Sequence, residues 1–591
     1  MTDTLSPRLP LIPSQTGMRD GHLQDPENSA YSVAQIVWFA GEELSEQMVV
    51  DAVEIGVRDT HSILLVAGTD ENGQWYQQLD TASEVPVHRV DLSAEPDPQQ
   101  AARDLAFREV RRALPISGPE LPFRSYVLTL GPTSFAWFGI CHHMFIDGYG
   151  ATLLRARVGQ VLGALAAGQA VPDSPLGSIT DLIAATPEPD PADLEFWKAH
   201  LDGAPEVISF ADRVAPPAPL YEMIDFRVPR FTTRVAEALD GVNWAHVAAA
   251  AAIAYTSVIL ESPAVVVGLP VTGRFTPEEK MTPSQSMGAL PLHLRVDHAA
   301  TIPDLVTVFR NTVRTTKNHQ RQAPDALRAE LPVAWRTGRV YGPMVNVIPF
   351  EIPSMAGALE TGLEVVSHGP CDDLSFTITP APGDGIRTEM LFNPSIYPAS
   401  DRVLHAQRFA DWLEQVAARP DAPVSDLVCL TAAEQSLHAE LADTAGPDSP
   451  QPLEWGTNCT VADLASSVGL TDVTGIEVRS DLGRPSVFGR PGRVVFLTPR
   501  GARESDLLVS LGRDGLEYRG ITEDRVVVNG AHVELDAVRR AVTRDPRYTG
   551  AEVTASGRRI TIRPAGKTSR EENEEIAARV AEVTSAPVVI R

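Results

Sequence analysis

The sequence predicts an α/β protein with two halves, followed by a smaller α+β region. Three observations carry that expectation. Strand-like and helix-like apolar patterns alternate through the first 425 residues. Pro, Gly and Asp cluster at Arg419 to Pro423 and again between Asp443 and Pro452, where the composition shifts. The chain has 591 residues, more than one hydrophobic core usually serves. These features divide it into 1–180, 181–425, a linker at 426–459 and a last region at 460–591.

In the first half, Tyr31 to Phe39 (YSVAQIVWF) has strand character, and Ser45 to Arg58 follows with an apolar stripe at helical spacing. Ile63 to Gly68 is strand-like, and Gly73 to Gln78 is polar and turn-rich. Pro96 to Leu114 reads as a helix. Ser125 to Leu130 and Phe135 to Ile140 (FAWFGI) read as strands, and Ala151 to Leu165 as a helix. The Pro- and Asp-rich run Thr186 to Ala192 precedes a helix with Phe196, Trp197 and Leu201 on one face. In the second half, Val242 to Leu260 is an Ala-rich helix that is apolar nearly all round, as a buried helix is. Ala264 to Leu269 is a strand ending in the turn VTGR (Val271 to Arg274), and Leu290 to Val296 is another. Ile302 to Gln322 reads as a long helix with a basic end at Lys317, His319 and Arg321. Val345 to Phe350 and Leu374 to Thr379 read as strands, and Ser400 to Ala417 as a closing helix. The last region has short valine-bearing strands: Arg490 to Leu497, a hairpin of Asp506 to Ser510 with Leu516 to Arg519 around Arg513-Asp514-Gly515, and Arg525 to Val528. Val533 to Val542 follows as a helix.

The net charge of -27 leaves no excess of cations to face phosphates, which argues against duplex nucleic acid as a partner. Cys141, Cys371, Cys429 and Cys459 lie far apart without CxxC spacing, so neither a disulfide framework nor a metal site is expected. The first residues lack a basic stretch followed by an apolar core, and no apolar run is long enough to span a bilayer. A cytoplasmic protein with no membrane partner is the expectation.

The chemistry concentrates in Cys141 to Gly150, CHHMFIDGYG. Histidine is the side chain whose ordinary pKa lets it accept a proton near neutrality. Two histidines beside a strand also serve packing or hydrogen bonding. Asp147 is an acidic partner candidate for His143, and Gly148 can take the backbone angles of a sharp turn. A base here deprotonates an amine or hydroxyl as it attacks an acyl carbon. No GxSxG elbow supplies a covalent nucleophile, and Cys141 continues the apolar strand. Asp147 either orients His143 or pairs with a distant arginine, because a buried carboxylate needs a partner.

HHxxxDG, here His142 to Gly148, is the core motif of nonribosomal peptide synthetase condensation domains, which this chain resembles. LPLIPSQTGM (Leu9 to Met18) is similar to the opening of such domains. VRDTHSILL (Val57 to Leu65) stands where they carry an RHxxLR-like segment, without its final arginine. VGLPVTGR (Val267 to Arg274), GALPLHLRV (Gly288 to Val296), KNHQRQ (Lys317 to Gln322) and YGPMVNVIPF (Tyr341 to Phe350) follow in the expected order. The siderophore-synthetase subclass, which takes aryl or similar starter groups, is the most similar. The resemblance covers about residues 8–425. It implies two chloramphenicol-acetyltransferase-like lobes in a V, with the active site in the channel between them. It also implies acyl groups delivered on the phosphopantetheine arms of acyl- or peptidyl-carrier proteins in trans, with no intrinsic cofactor. His143 is then the catalytic histidine, as base or as positioner of the amine. His142 shapes the loop, and Gly148 keeps the turn and aims its N–H at the oxyanion. Asp147 pairs with Arg274 across the lobes. Asn346 and Ser375 are tunnel-lining candidates, Asn346 alternatively a sheet-edge hydrogen bonder. Lys317, His319 and Arg321 are carrier-contact candidates, alternatively a solvated basic face. The implied product is an amide. An ester from a hydroxyl acceptor and a non-catalytic assembly-line scaffold are the alternatives, and epimerisation fits the starter-type opening less well.

Ser505 to Val542 resembles the end of an adenylation domain. Asp506 holds the place of the ribose-binding aspartate, but Glu504 and Ser505 replace Thr and Gly before it. The hinge segment Gly520 to Glu534 has Ile521 and Asn529 where arginines are expected. Ile476 to Pro499 is similar to the last small β-subdomain of an adenylation core, and Leu427 to Gln435 to the usual junction. No Gly/Ser/Thr-rich phosphate loop lies between that junction and Ile476, and Ala565-Gly566-Lys567 directly follows a strand. The expectation is a truncated adenylation remnant without ATP chemistry. Such a remnant either docks a carrier protein or another synthetase subunit, the preferred reading, or stabilises the condensation unit. No LGGxS-like carrier motif follows.

Overall fold

The computed structural model describes residues 5–80, 84–118, 120–187, 190–321, 339–350, 359–444, 450–512, 515–556, 559–566 and 568–591. The first lobe is built on strands β1 (Ser32–Ala40), β2 (Val87–Asp91), β3 (Phe123–Gly131) and β4 (Ser134–His142), in the order β1-β4-β3-β2. Strand β4 is central and both of its faces are covered. Phe135, Trp137 and Cys141 face α2 (Glu46–Asp59), and Ala136, Phe138 and Ile140 share a core with α3 (Pro98–Val110). Two covered faces are why FAWFGI is an unbroken apolar run rather than an alternating one. Helix α4 (Gly148–Ala166) leaves the end of β4 and packs beside α2, and α1 (Pro13–Gln24) lies near the same end.

The second lobe contains β5 (Glu222–Pro229), β6 (Ala264–Val271), β7 (Gly288–Arg295), β8 (Met344–Val347), β9 (Glu360–His368), β10 (Leu374–Pro380) and β11 (Gly385–Phe392). Six of these strands form one sheet, in the order β7-β6-β8-β10-β11-β5. Helices α5 (Trp244–Ile259), α6 (Ile302–Thr316) and α7 (Ala399–Ala418) cover one face. The alanines of α5 are buried nearly all round, and α7 reaches its backbone through Trp412 Nε1–H donating to Ala251 O at 3.0 Å. Strand β9 leaves its own lobe. It pairs antiparallel with β1 and puts Val366 into the first lobe's core.

Several elements differ from the sequence expectation for identifiable reasons. The polar run Gly73–Gln78 yields a strand, Trp75–Leu79, because the Gln77 amide is buried and donates to Pro10 O and Gln15 Oε1, both at 2.9 Å. Helix α6 stops at Thr316, and a 3-10 turn, Lys317–His319, follows. Residues 531–534 pair as a strand before the helix Leu535–Thr543 begins. The interval 426–459 contains a helix, Ala432–Ala442, started by a Thr431–Glu434 capping box. The strands between residues 475 and 521 form an antiparallel sheet with its own core, and those between 551 and 590 a smaller mixed one. Arg513, Asp514 and Lys567 lie outside the described residues.

Glu434 joins three parts of the chain. It caps its own helix, pairs in full burial with Arg408 of α7 at 2.5 Å, and accepts from Phe488 N at 2.7 Å. Removing one partner of a buried ion pair leaves the other uncompensated, a loss of about 3–5 kcal/mol. Glu434→Ala is therefore expected to lower the urea midpoint by that much stability, and a midpoint shift equivalent to under about 1 kcal/mol would contradict it.

Candidate active site

Strand β4 ends at His142 and α4 begins at Gly148, so the five residues between them form a tight turn. His143 N–H donates to Tyr31 O at 2.7 Å and Phe145 N–H to His142 O at 3.0 Å. Asp147 is the N-cap of α4, its Oδ1 accepting from Gly150 N at 2.7 Å. The same carboxylate reaches the second lobe. Arg274 donates Nη1 to Oδ2 at 2.9 Å and Nη2 to Oδ1 at 3.1 Å. The N–H groups of Ser286 and Met287 donate to Oδ2 at 2.9 and 2.8 Å. Both charged side chains are fully buried. The guanidinium also donates to Thr272 O and Ser284 O and lies 4.6 Å over the Tyr149 ring. Gly273 stands at φ +63°, with Ser286 O 1.9 Å from where a Cβ would be, so no side chain fits beside Arg274.

Gly148 differs from expectation. It is not among the positive-φ residues, and a Cβ there would meet nothing within 4 Å. The turn is made by the Asp147 cap rather than by glycine freedom, and Gly148 leaves open space at the first turn of α4.

The His143 side chain is half-buried. Its Nδ1 is buried without a hydrogen-bond partner among the described residues. Burial lowers its pKa below the ordinary 6.5, and its own carbonyl, Asp147 and Gln285 offset part of that. The ring is therefore neutral at pH 7 and able to accept a proton. Gly369, just after β9, has φ +99°, and a Cβ there would stand 2.2 Å from His143 Cδ2. The preceding residue, His368, is pushed down to about 4 by the protein around it and by His143, and its ring lies 5.8 Å from that of Tyr221. Cys141 is buried, which pushes its thiol far above the usual range, so it offers no thiolate.

A family profile described as "Condensation domain" matches residues 6–437. The chain belongs to the condensation-domain family. These domains are the acyltransferases that form the peptide bond in nonribosomal peptide synthesis. Over 439 residues the chain is 27% identical to the dimodular nonribosomal peptide synthase of Bacillus subtilis (strain 168), covering 73% of this chain and 18% of that protein. It is 29% identical to the isonitrile lipopeptide synthase of Streptomyces coeruleorubidus, over 72% of this chain and 30% of that one. Enterobactin synthase component F of Escherichia coli (strain K12) is 23% identical over 74% of this chain and 34% of its own. The chain thus spans about a third or less of these relatives. The first condensation domain of the calcium-dependent antibiotic synthetase, solved with substrate analogue 3a, superposes with a TM-score of 0.64 at 26% identity, covering 72% of this chain and 99% of that one.

The condensation-family structure brings His142, His143, Asp147, Gly148 and Arg274 into one site. Asn346 on β8 and Ser375 on β10 are half-buried on the same sheet face, opposite the one where Val345 and Phe376 enter the core. Lys317 is exposed. His319 instead lies 2.6 Å from Asp193 and stacks on Phe196, and Arg321 lies 3.4 Å from Glu279 and over the Phe275 ring. Arg321 also lines a cavity of about 600 Å³ with Ser14, Gly273, Phe275 and Ser286, a cavity that His143 does not line. Gly369, His368, Gln285 and the backbone donors Ser286 and Met287 escaped the sequence reading. The one local signal was the Gly-Pro turn pair after His368.

Two outcomes are expected. Gly369→Ala displaces the His143 ring and lowers turnover about 100-fold, the order of loss a 1 Å misplacement brings. An unchanged rate would contradict the packing. Burial also holds His142, His143 and His405 below 6.5. As pH falls past that value the unfolded chain takes up protons first, so stability present above 6.5 is lost on acidification. The melting temperature is expected to fall from pH 7.5 to about 5, and a flat profile would contradict it.

Proposed function

We propose that this condensation domain joins a carrier-bound acyl group to an amine with His143 as the base. The observation that carries the reading is a neutral, half-buried imidazole in the turn that the Asp147–Arg274 pair ties to the second lobe. The amine nitrogen attacks the thioester carbonyl carbon and a C–N bond forms. His143 takes a proton from that nitrogen. The C–S bond then breaks and the thiolate leaves with the proton. Base catalysis of this kind contributes roughly 10²- to 10⁴-fold. His142 shapes the turn, and the Gly148 N–H at the start of α4 faces the developing oxyanion. Asn346 and Ser375 line the tunnel, and exposed Lys317 meets the carrier, since His319 and Arg321 are engaged within the fold. The acyl group, aryl or a similar starter, arrives on the phosphopantetheine arm of a partner protein, and the amine arrives on a second arm or free.

We read residues 460–591 as a truncated adenylation domain that braces the second lobe and handles no ATP. Burial alone would raise the Asp212 pKa, but Arg490, His532 and Arg525 from the last region outweigh it and hold the carboxyl well below its usual range. Glu206 accepts from Gly530 N at 2.7 Å, and Val487 enters the second lobe's own core. A region held this way is suited to bracing rather than to the swinging motion of an ATP-using enzyme.

The test offers the protein carriers loaded with aryl and short fatty acyl groups together with amine acceptors, and follows product mass. His143→Ala is expected to lose about 100-fold or more of the rate, and product formation at the wild-type rate would sink the assignment. ATP–pyrophosphate exchange with a panel of acids is expected to show nothing, and exchange would overturn the reading of the last region.

A further inference from the structure

His142 and His22 form a buried pair in which neither ring takes the proton in the reaction described above. His142 is 1% exposed and His22, on α1, 4%. Their rings meet edge to face at 4.9 Å, with His142 Nε2 3.2 Å from His22 Nδ1. The other nitrogen of His142 is already assigned. Met144 N–H donates to His142 Nδ1 at 3.1 Å, and a backbone N–H can only donate. His142 Nδ1 therefore carries the lone pair and Nε2 the hydrogen. His22 Nδ1 must then accept, which fixes His22 as neutral with its own hydrogen on Nε2.

The contact bears on His143 through the turn. Met144 follows His143 directly, and its N–H is held by the His142 ring while its carbonyl accepts from Gln15 Nε2 at 3.0 Å. Gln15 and His22 are seven residues apart on α1, two helical turns, and so share a face. That face grips the turn at two points, one on each side of the Met144 peptide. We propose that His22 is a positioning residue for the condensation reaction: by accepting the His142 Nε2 hydrogen it locks the tautomer that holds the Met144 N–H, and so fixes the turn from which His143 projects. This rests on the reading of His143 as the base. The ionisable neighbours are few. Burial lowers the pKa of His22, and Asp25 offsets part of that. His142 is flanked by His22, His143 and the Tyr31 ring, which stacks on it at 6.4 Å.

The experiment compares His22→Leu, which removes the acceptor, with His22→Asn, whose Oδ1 restores one. The probe is a 2-hydroxybenzoyl-loaded carrier with an amino-acid amine, assayed beside His143→Ala. The tautomer of His142 is read in parallel from the ring nitrogens of ¹⁵N-histidine-labelled protein. His22→Leu is expected to lower kcat about tenfold or more with KM within about twofold, and His22→Asn to recover most of it. The wild-type spectrum is expected to show His142 protonated on Nε2 and bare on Nδ1. Equal rates in the wild type and His22→Leu, equal losses in Leu and Asn, or a His142 proton on Nδ1 would each overturn the proposal. If His22→Leu does not fold, His22→Phe takes its place as the non-accepting ring. Wild-type rates from His143→Ala would remove the parent reading alone, and the spectrum would still decide the His22 contact.

Discussion

Everything at this site hangs on the Asp147 carboxylate. It is wholly buried, and a buried charge is tolerated only when its lone pairs are filled. Five donors fill them, one from its own helix and four from the second lobe. The cap and the inter-lobe tie are therefore one interaction. Loosening the second lobe exposes the carboxylate, and losing the carboxylate leaves Arg274 buried and uncompensated. The backbone has conformed to that demand. Gly273 and Gly150 stand where a Cβ would strike the Ser284–Ser286 segment that supplies the donors.

With the turn fixed, the properties of His143 follow from its surroundings. Its N–H is held by Tyr31 O, just before β1, and its ring edge is met by Gly369 after the strand that the second lobe lends to the first. Two long-range contacts thus set a ring that the local chain only brings to the right neighbourhood. Burial keeps that ring neutral, which is the form a base needs. His368 is held at about 4 by the protein around it and by His143, so the two imidazoles do not compete for a charge at neutral pH.

The parts legible in the sequence are those encoded locally. The covered strand, the histidine pair, the capping aspartate and the buried alanine helix each show in a short window. Arg274 is 127 positions from its partner and was reachable only through the resemblance to a family. Gln77 stood in a polar run that read as a turn, yet its amide hydrogen-bonds Gln15 inside the core. Strand β9 was invisible because only Val366 and Ser367 are buried, and its partner lies in the other lobe. The helix Ala432–Ala442, which buries only Glu434 and Leu441, hid within a segment whose flanks are rich in Pro, Gly and Asp.

The central claim is that Asp147 and Arg274 act as one unit that holds the turn bearing His143. A double-mutant cycle on turnover tests it most directly, with Asp147→Asn, Arg274→Met and the double variant assayed at saturating acyl carrier and amine. If the account holds, each single variant loses most of the wild-type rate and the double variant is no slower than the slower single one. Losses that multiply in the double variant, or single variants that keep the wild-type rate, would contradict it.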